Sequence, residues 1–536
     1  MRGSNSFRAP YLLFLSVSSL LNTFASPASN LCRPDQREAL LEFKSEFRIQ
    51  KIEFQTRIIS YPKKKSWEKR MDCCSWDGVR CDPMSGEVIE LDLSCSRLHG
   101  RFRSNSSLFK LGNLRVLNLA FNDFDYSPVP VQLGELVRLT KLNLSSSSLS
   151  GQIPTQIMHL TQLESLDLTS FWYRSGLSAE HLFLSKLAQN LTNLRELRLD
   201  SVDISSEIPQ NLLNLTSLRS LHLSGCNLFG KFPGNVLRML GIRSVRLSNN
   251  TNLRGSLPEF HGNSSLETLD LYETSFSGGI PNTIGSLQSL KSLRLSGCNF
   301  CGNIPPPLGN LSYLTSVDLS SNNFSGQIPS SFANLNRLVS LDLGDNEFSG
   351  DFPLGFLNMT KLSELNLGGN QFTGSLPSNM SVLSNLELLA AHENSFAGTL
   401  PSSLFTMPSL TVIYLVGNQL SGLDDFGNMS SSSSKLRQLS LGDNDFNGPI
   451  PRSISKLVDL ILIELSYWNT GGNAVDLRVF SCLKSLLSID LSYLNTTTIL
   501  DLSILSPLNE LQDLRLSGNI VDKVKRVPVS QFSYLL

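Results

Sequence analysis

From Leu266 to Leu415 one pattern returns every 24 residues. The segment Leu-x-x-Leu/Val/Ile-x-Leu starts at Leu266, Leu290, Leu314, Leu338, Leu362, Leu386 and Leu410, with Ala391 replacing the final Leu once. The first six copies continue into Phe-x-Gly-x-Ile/Leu/Phe-Pro. A strict period of this length makes a chain stack like turns in a row rather than close on one globular core. In the copy at Leu314 the apolar residues are Leu314, Val317, Leu319, Phe324, Ile328, Phe332 and Leu335. Burying seven such anchors gives roughly 10 to 20 kcal/mol. Fixing the backbone of one repeat costs about 1 to 2 kcal/mol for each residue. A lone repeat therefore does not fold, and stability belongs to the row.

These slots are those of a leucine-rich repeat. Counted by first anchor, repeats begin at Val88, Leu114, Leu139, Leu163, Leu194 and Leu218 and continue to Leu511, about eighteen in all. The expected fold is an α/β-type solenoid: a right-handed leucine-rich-repeat superhelix with a concave parallel β-sheet and a helical, disulfide-bonded N-terminal cap. The step from Leu163 to Leu194 is 31 residues and carries Phe171, Trp172 and Tyr173, which predicts a loop-out. The ninth slot, where a buried Asn can satisfy backbone groups of the turn, holds Asn250, Asn322, Asn346, Asn370, Asn394 and Asn418. Cys226 and Cys298 take that slot in two copies and are read as core; the Cys298-x-x-Cys301 pair has no surrounding βαβ pattern to make it a redox motif.

The expected domains are a signal peptide over 1–25, a cap over 26–87, and the repeats over 88–536. Arg2 and Arg8, the apolar run Tyr11 to Leu21, and small residues through Ala25 and Ser29 have the three parts of a secretory signal. No later stretch approaches the roughly 20 apolar residues of a spanning helix. Export places the nine cysteines in an oxidising compartment, and the odd number leaves at least one unpaired within the chain. Glycosylation sequons stand at Asn105, Asn143, Asn190, Asn214, Asn249, Asn263, Asn310, Asn323, Asn358, Asn379, Asn428 and Asn495. A formal net charge of -1 argues against nucleic acid as a charge-driven partner. His99, His159, His181, His222, His261 and His392 are scattered, and no phosphate loop or metal-spaced cluster appears, so neither an enzyme nor a cofactor is expected.

In the cap, Asp35 with Glu38 three residues on reads as an N-cap opening a short amphipathic helix, whose apolar face is Leu40, Phe43 and Phe47. The segment from Arg48 to Arg70, with Lys63, Lys64 and Lys65 in a run, reads as a solvated basic loop. Then come Cys73, Cys74 and Cys81, which with Cys32 make four cap cysteines. Four allow three pairings, and in an exported chain these spacings favour disulfides over a zinc site.

Four stretches carry a family resemblance: Cys-x-Pro-Asp-Gln-x-x-Ala-Leu-Leu-x-Phe-Lys at Cys32 to Lys44, Asp-Cys-Cys-Ser-Trp-Asp-Gly-Val at Asp72 to Val79, Leu-Asp-Leu-Ser-Cys-Ser at Leu91 to Ser96, and Asn-Ser-Ser-Leu-Phe at Asn105 to Phe109. Together they closely resemble plant receptor-like proteins of the Cf disease-resistance type, over the chain from the cap to about Ile450. The resemblance implies a secreted ectodomain tethered by one membrane helix, lacking a kinase, that perceives a secreted pathogen protein or peptide at the cell surface and signals through leucine-rich-repeat receptor kinases. It also implies the pairs Cys32–Cys73 and Cys74–Cys81. Relative to that pattern the sequence ends before the non-repeat island, the last repeats, the C-terminal cap and the anchor, so a membrane is reached only through a segment absent from this chain. Two other readings are a secreted inhibitor of a pathogen cell-wall-degrading enzyme, similar to the shorter polygalacturonase-inhibiting proteins of plants, and a truncated, non-signalling decoy.

Side chains alternate along a strand, so Asn143 is expected to point out of the sheet, where a glycan would cover its neighbours. Sequons Asn214, Asn310 and Asn358 fall on the opposite flank. The outward positions are mostly Ser, Asp, Arg or Gly, but two adjacent repeats differ: Leu388 with Val412, Ala390 with Tyr414, and His392 with Val416 form three outward columns edged by Glu393. Exposed apolar groups in a contiguous patch suggest a ligand-binding surface. A one-residue shift of the Leu386 copy would instead turn its leucines inward. A polar column, Arg198, His222, Arg246, Asp270 and Arg294 with Tyr272, reads as a solvated face. At the last repeat Leu511, Leu514 and Leu516 are expected to border an uncovered edge and to make the chain poorly secreted alone.

Overall fold

The computed structural model describes residues 31–50, 60–170, 176–424, 426–427, 434–497 and 499–520. The signal segment 1–25, the aromatic run Phe171 to Tyr173, the sequon at Asn428 and the tail around Val527 and Pro528 lie outside the described residues.

Each Leu-x-x-Leu-x-Leu copy makes a three- to five-residue strand. Among the described residues eighteen such strands and one strand of the cap lie side by side. The first, Val79–Cys81, is antiparallel to Val88–Asp92, and every later pairing is parallel up to Asp513–Arg515. The row is open, since each end strand has one partner. Register is uniform: Leu293 faces Val317, which faces Leu341, then Leu365, Leu389 and Ile413. All six are buried. This is the expected leucine-rich-repeat solenoid.

Four devices recur in the turns. An Asp or Asn ending the strand accepts the amide two residues on, as Asp318 does from Ser320 at 3.2 Å. The next residue but two takes a left-handed conformation, as at Asp345, Gly369, Glu393 and Gly417. The ninth-slot Asn then bonds in both directions: the Asn346 amide donates to Leu319, Leu343 and Gly344 carbonyls, and its oxygen accepts from Phe324 N–H of the preceding repeat. Asn122, Asn444 and Asn519 do the same. Cys226 and Cys298 donate a thiol to the equivalent carbonyl of the preceding repeat, both at 3.1 Å. Finally the Ile/Leu/Phe-Pro step starts a 3-10 turn: Pro329 precedes Ser330–Asn334, where a residue without N–H leaves no orphan donor.

Curvature follows from unequal spacing. Neighbouring strands lie about 4.7 to 4.9 Å apart. The rings of Phe300, Phe324, Phe348, Phe372 and Phe396 stack behind them at centroid separations of 6.1, 6.1, 6.4 and 6.0 Å. Farther back Phe332 and Phe356 are 6.5 Å apart. Repeats fan outward away from the sheet, so the sheet lines the inside of the arc. A second run of short parallel strands, from Phe229–Lys231 to Gln371–Thr373, flanks it, a feature that no single repeat displays.

The cap differs from expectation in two places. Helix α1, Pro34–Glu46, starts at Pro34 with no side-chain cap. Asp35 is inside the first turn, not the N-cap, because proline already occupies the first helical position, where no donor is missed. The basic run is not a solvated loop: Arg48–Ile49 pairs with Leu98–His99, and Lys64 is buried. Its ammonium donates to the Lys44 carbonyl at 2.9 Å and to the Phe47 carbonyl, closing the end of α1, and burial beside Lys44 lowers its pKa to about 8. The sheet side of the cap is locked by Trp67 stacked on Trp76. The long step after Leu163 contains helix α2, Phe183–Asn190, in place of a 3-10 turn. At the far end Leu511, Leu514 and Leu516 pack back on the layer of Leu486, Ile489 and Leu491 and are buried, while Asp513–Arg515, with one partner strand among the described residues, is the edge of the row.

Candidate functional site

The cap sulfurs come within 4.8 Å of one another, a spacing a metal could use. They are joined as Cys32–Cys73 and Cys74–Cys81, which leaves no thiolate for one. Cys95, Cys226, Cys298, Cys301 and Cys482 are free.

The apolar patch is built by two adjacent strands, Leu388–Ala390 and Val412–Tyr414. Leu388 pairs with Val412 and Ala390 with Tyr414. Leu389, Ala391, Ile413 and Leu415 are fully buried, so no one-residue shift occurs and Leu388 faces outward. Leu388, Val412, Tyr414 and Val416 are half-buried, and Ala390 lies flush beneath them. The Tyr414 hydroxyl donates to Gln438 Oε1 at 2.5 Å, which fixes the ring across the next repeat. His392 lies over Gly368: a Cβ there would sit 2.2 Å from the imidazole. Glu393 is exposed in the left-handed turn that ends this repeat.

Two features extend the patch beyond the expected residues. Leu462 continues the Leu388, Val412, Gln438 column. Tyr467 and Tyr493, 52% and 47% exposed, stack at 4.7 Å. Both occupy the left-handed turn position, with φ of 60° and 58°. Most other repeats put Gly, Asn, Asp, Ser or Glu there, with Cys95 and Phe121 as exceptions, so tyrosines in two successive repeats, three residues after Glu464 and Asp490, were the available signal.

The polar column lies elsewhere on the same sheet, with Arg198, His222, Arg246, Asp270 and Arg294 in consecutive register. Arg294 is satisfied by Asp318 at 3.2 Å and by the Tyr272 ring at 4.0 Å. His222 is buried, with Nε2 2.8 Å from Ser244 Oγ. Burial first, and the flanking Arg198 and Arg246 charges second, push its pKa down to about 4. Burial also raises Asp200, Asp270 and Asp342 above the ordinary carboxylate range.

Ten of the described sequon asparagines are exposed, among them Asn214, Asn310 and Asn358 at the ends of 3-10 turns away from the sheet. Asn143 alone is half-buried, its Oδ1 accepting Ser145 N–H at 2.9 Å.

Similarity to known proteins now bears on this surface. A family profile described as a leucine rich repeat N-terminal domain matches residues 33–82, one described as a leucine-rich repeat region matches 241–502, and a single leucine rich repeat matches 138–160 and 217–239. Receptor-like protein 6 of Arabidopsis thaliana is 46% identical over 292 residues, 53% of this chain and 29% of the relative. Receptor-like protein Cf-9 of Solanum pimpinellifolium is 42% identical over 210 residues, 37% of this chain and 24% of the relative. The chain is built of leucine-rich repeats behind an N-terminal repeat cap, and over these stretches it is similar to plant receptor-like proteins, among them one of the Cf type. It spans less than a third of the length of these two receptor-like proteins. Among solved structures, a TDR receptor shares the fold with a TM-score of 0.65 and 26% identity, over 80% of this chain and 84% of that one. A plant peptide hormone receptor, RGFR1 in complex with RGF2, gives 0.57 and 27%, over 84% of each. Among the described residues of this receptor-like chain no helix is long and apolar enough to cross a membrane.

Proposed function

We propose that the chain is the ligand-recognition part of a plant cell-surface receptor that perceives a secreted pathogen protein or peptide and signals for defence through leucine-rich-repeat receptor kinases. The observation that carries this reading is the outward apolar patch of Leu388, Ala390, His392, Val412, Tyr414 and Val416, edged by Glu393, on a sheet whose other outward positions are mostly polar. A soluble surface keeps such groups together where a partner covers them. Support for a peptide or protein ligand also comes from the kinship to receptor-like proteins and from the likeness to a receptor solved with its peptide hormone. The test is to express the full-length receptor carrying this chain in leaf tissue, apply pathogen culture filtrates, and recover the receptor from membranes. The expected result is a defence response together with filtrate-dependent recovery of a leucine-rich-repeat kinase. Filtrates that trigger neither across a panel of pathogens would overturn the reading.

A further inference from the structure

At the joint between the cap and the first repeat the surface opens into a cleft of about 530 Å³. The end of α1 supplies one wall with Glu46, the cap strand supplies Arg48, and the first repeat supplies the stretch from His99 to Asn105. The walls are fixed to one another. Arg48 pairs with His99 across two antiparallel strands, and His99 Nδ1 lies 2.9 Å from Asp123 Oδ2 of the next repeat. Glu46 Oε1 accepts Ser107 N–H at 2.8 Å, and the Ser107 hydroxyl donates to the Ala39 carbonyl of α1 at 2.8 Å. Three guanidiniums, those of Arg48, Arg101 and Arg103, are exposed around the cleft, and among the described residues none forms an ion pair. Their N–H groups are open to whatever occupies it. Asn105 lines the same cleft with an exposed side chain and is the acceptor of the sequon Asn105-Ser106-Ser107.

We infer that the cleft seats the glycan carried by Asn105: its first N-acetylglucosamine units fold back between α1 and the first repeat and brace the joint. A sugar linked to Asn105 begins inside the lining, so its local concentration at the cleft is on the order of millimolar, as for any short tether, and hydrogen bonds too weak to hold a free saccharide suffice. The chemistry matches as well. Sugar hydroxyls and the acetamide are neutral groups that donate and accept, and the forked N–H groups of a guanidinium donate to two adjacent oxygens at once. A neutral, hydroxyl-rich occupant also leaves the three charges partly in water, so no stranded buried ion results. This reading is independent of what the sheet binds.

The experiment uses the secreted chain, made in plant cells with its glycans kept in the oligomannose form. An endoglycosidase that cuts between the first two sugars is applied to the native and to the urea-unfolded protein, and peptide mass spectrometry follows the cut at each sequon. Only a released sugar is cut, so a glycan seated about nine-tenths of the time should be trimmed about tenfold more slowly at Asn105 than at Asn263 and Asn379, which are exposed and outside the cleft. Unfolding should abolish the difference. Arg101→Ala combined with Arg103→Ala removes two exposed side chains and should bring the native rate at Asn105 up to that of the other two sites. Asn105→Gln should also speed amide hydrogen exchange at the end of α1 severalfold, with Asn263→Gln leaving it unchanged. An Asn105 without a glycan, equal native trimming at the three sites, or slow trimming that survives the double arginine change would overturn the seat, and unaltered exchange in Asn105→Gln would refute the brace.

Discussion

At the scale of single residues, the ninth slot sets how firmly one repeat holds the next. Replacing Asn346 by Leu keeps the volume but strands the Phe324 N–H and takes one donor each from the Leu319, Leu343 and Gly344 carbonyls, which keep Asn322, Asn370 and the Ser321 N–H. A loss of about 3 kcal/mol is expected in urea unfolding, since each bond contributes about 1 kcal/mol and unpaired groups add to it. The reverse change at Cys298, whose thiol reaches the Leu271 carbonyl at 3.1 Å, should stabilise: Cys298→Asn is expected to raise the unfolding midpoint by the equivalent of about 1 kcal/mol. His222 gives a pH signature with a definite sign. Its folded pKa, about 4, lies below the ordinary value of 6.5, so between these values the unfolded chain binds more protons than the folded one. Its neutral burial is without penalty above pH 6.5, and stability is lost as pH falls from there toward 4, by on the order of 3 kcal/mol. Thermal unfolding at stepped pH should show that slope in the wild type and a shallower one in His222→Gln; identical slopes would refute the assignment. The ninth-slot asparagines were legible because they recur, whereas the burial of His222 between two arginines needed the register of three strands.

At the scale of elements, the two cap disulfides are expected to contribute unequally. Cys32–Cys73 spans 41 residues of sequence and Cys74–Cys81 spans 7. Loop-closure entropy makes these about 4 and about 2 kcal/mol in the chain-entropy model. The Cys32→Ser/Cys73→Ser pair should therefore lower the thermal midpoint of the cap more than Cys74→Ser/Cys81→Ser, with an equal or inverted order counting against this account. The cap shows where sequence patterns mislead. Asp35 with Glu38 has the look of a capping box, yet Pro34 takes the first helical position, and the lysine run that looks solvated holds Lys64 under α1. The two have different causes: Pro34 fixes where the helix starts, whereas local composition does not reveal that Lys64 can bury its stem and place its ammonium on carbonyls left open at the end of α1. Likewise the flanking strands from Phe229–Lys231 to Gln371–Thr373 follow from stacking, because only when repeats lie in register do the Phe-x-Gly segments meet as partners.

At the scale of the whole molecule, the 24-residue period carried the fold: seven apolar slots, a parallel sheet and a fanning row of phenylalanine rings follow from one repeated sentence of sequence. The surface was legible only in part. The Leu388 and Val412 columns stood out against a polar background and the structure places them outward, while Leu462 and the Tyr467–Tyr493 stack extend them by contacts between repeats that no single repeat displays. Recognition on the sheet is the claim on which the functional reading depends. Its most direct test takes the full-length receptor, with a filtrate it responds to, and compares Tyr414→Ala and Val416→Asp with Tyr313→Ala, a tyrosine 49% exposed outside the patch. The account predicts that both patch variants are secreted and melt like the wild type but need about tenfold more filtrate for half response, the effect of losing one well-packed contact of 1 to 2 kcal/mol, while Tyr313→Ala responds normally. Undiminished responses from Tyr414→Ala and Val416→Asp alike would contradict it.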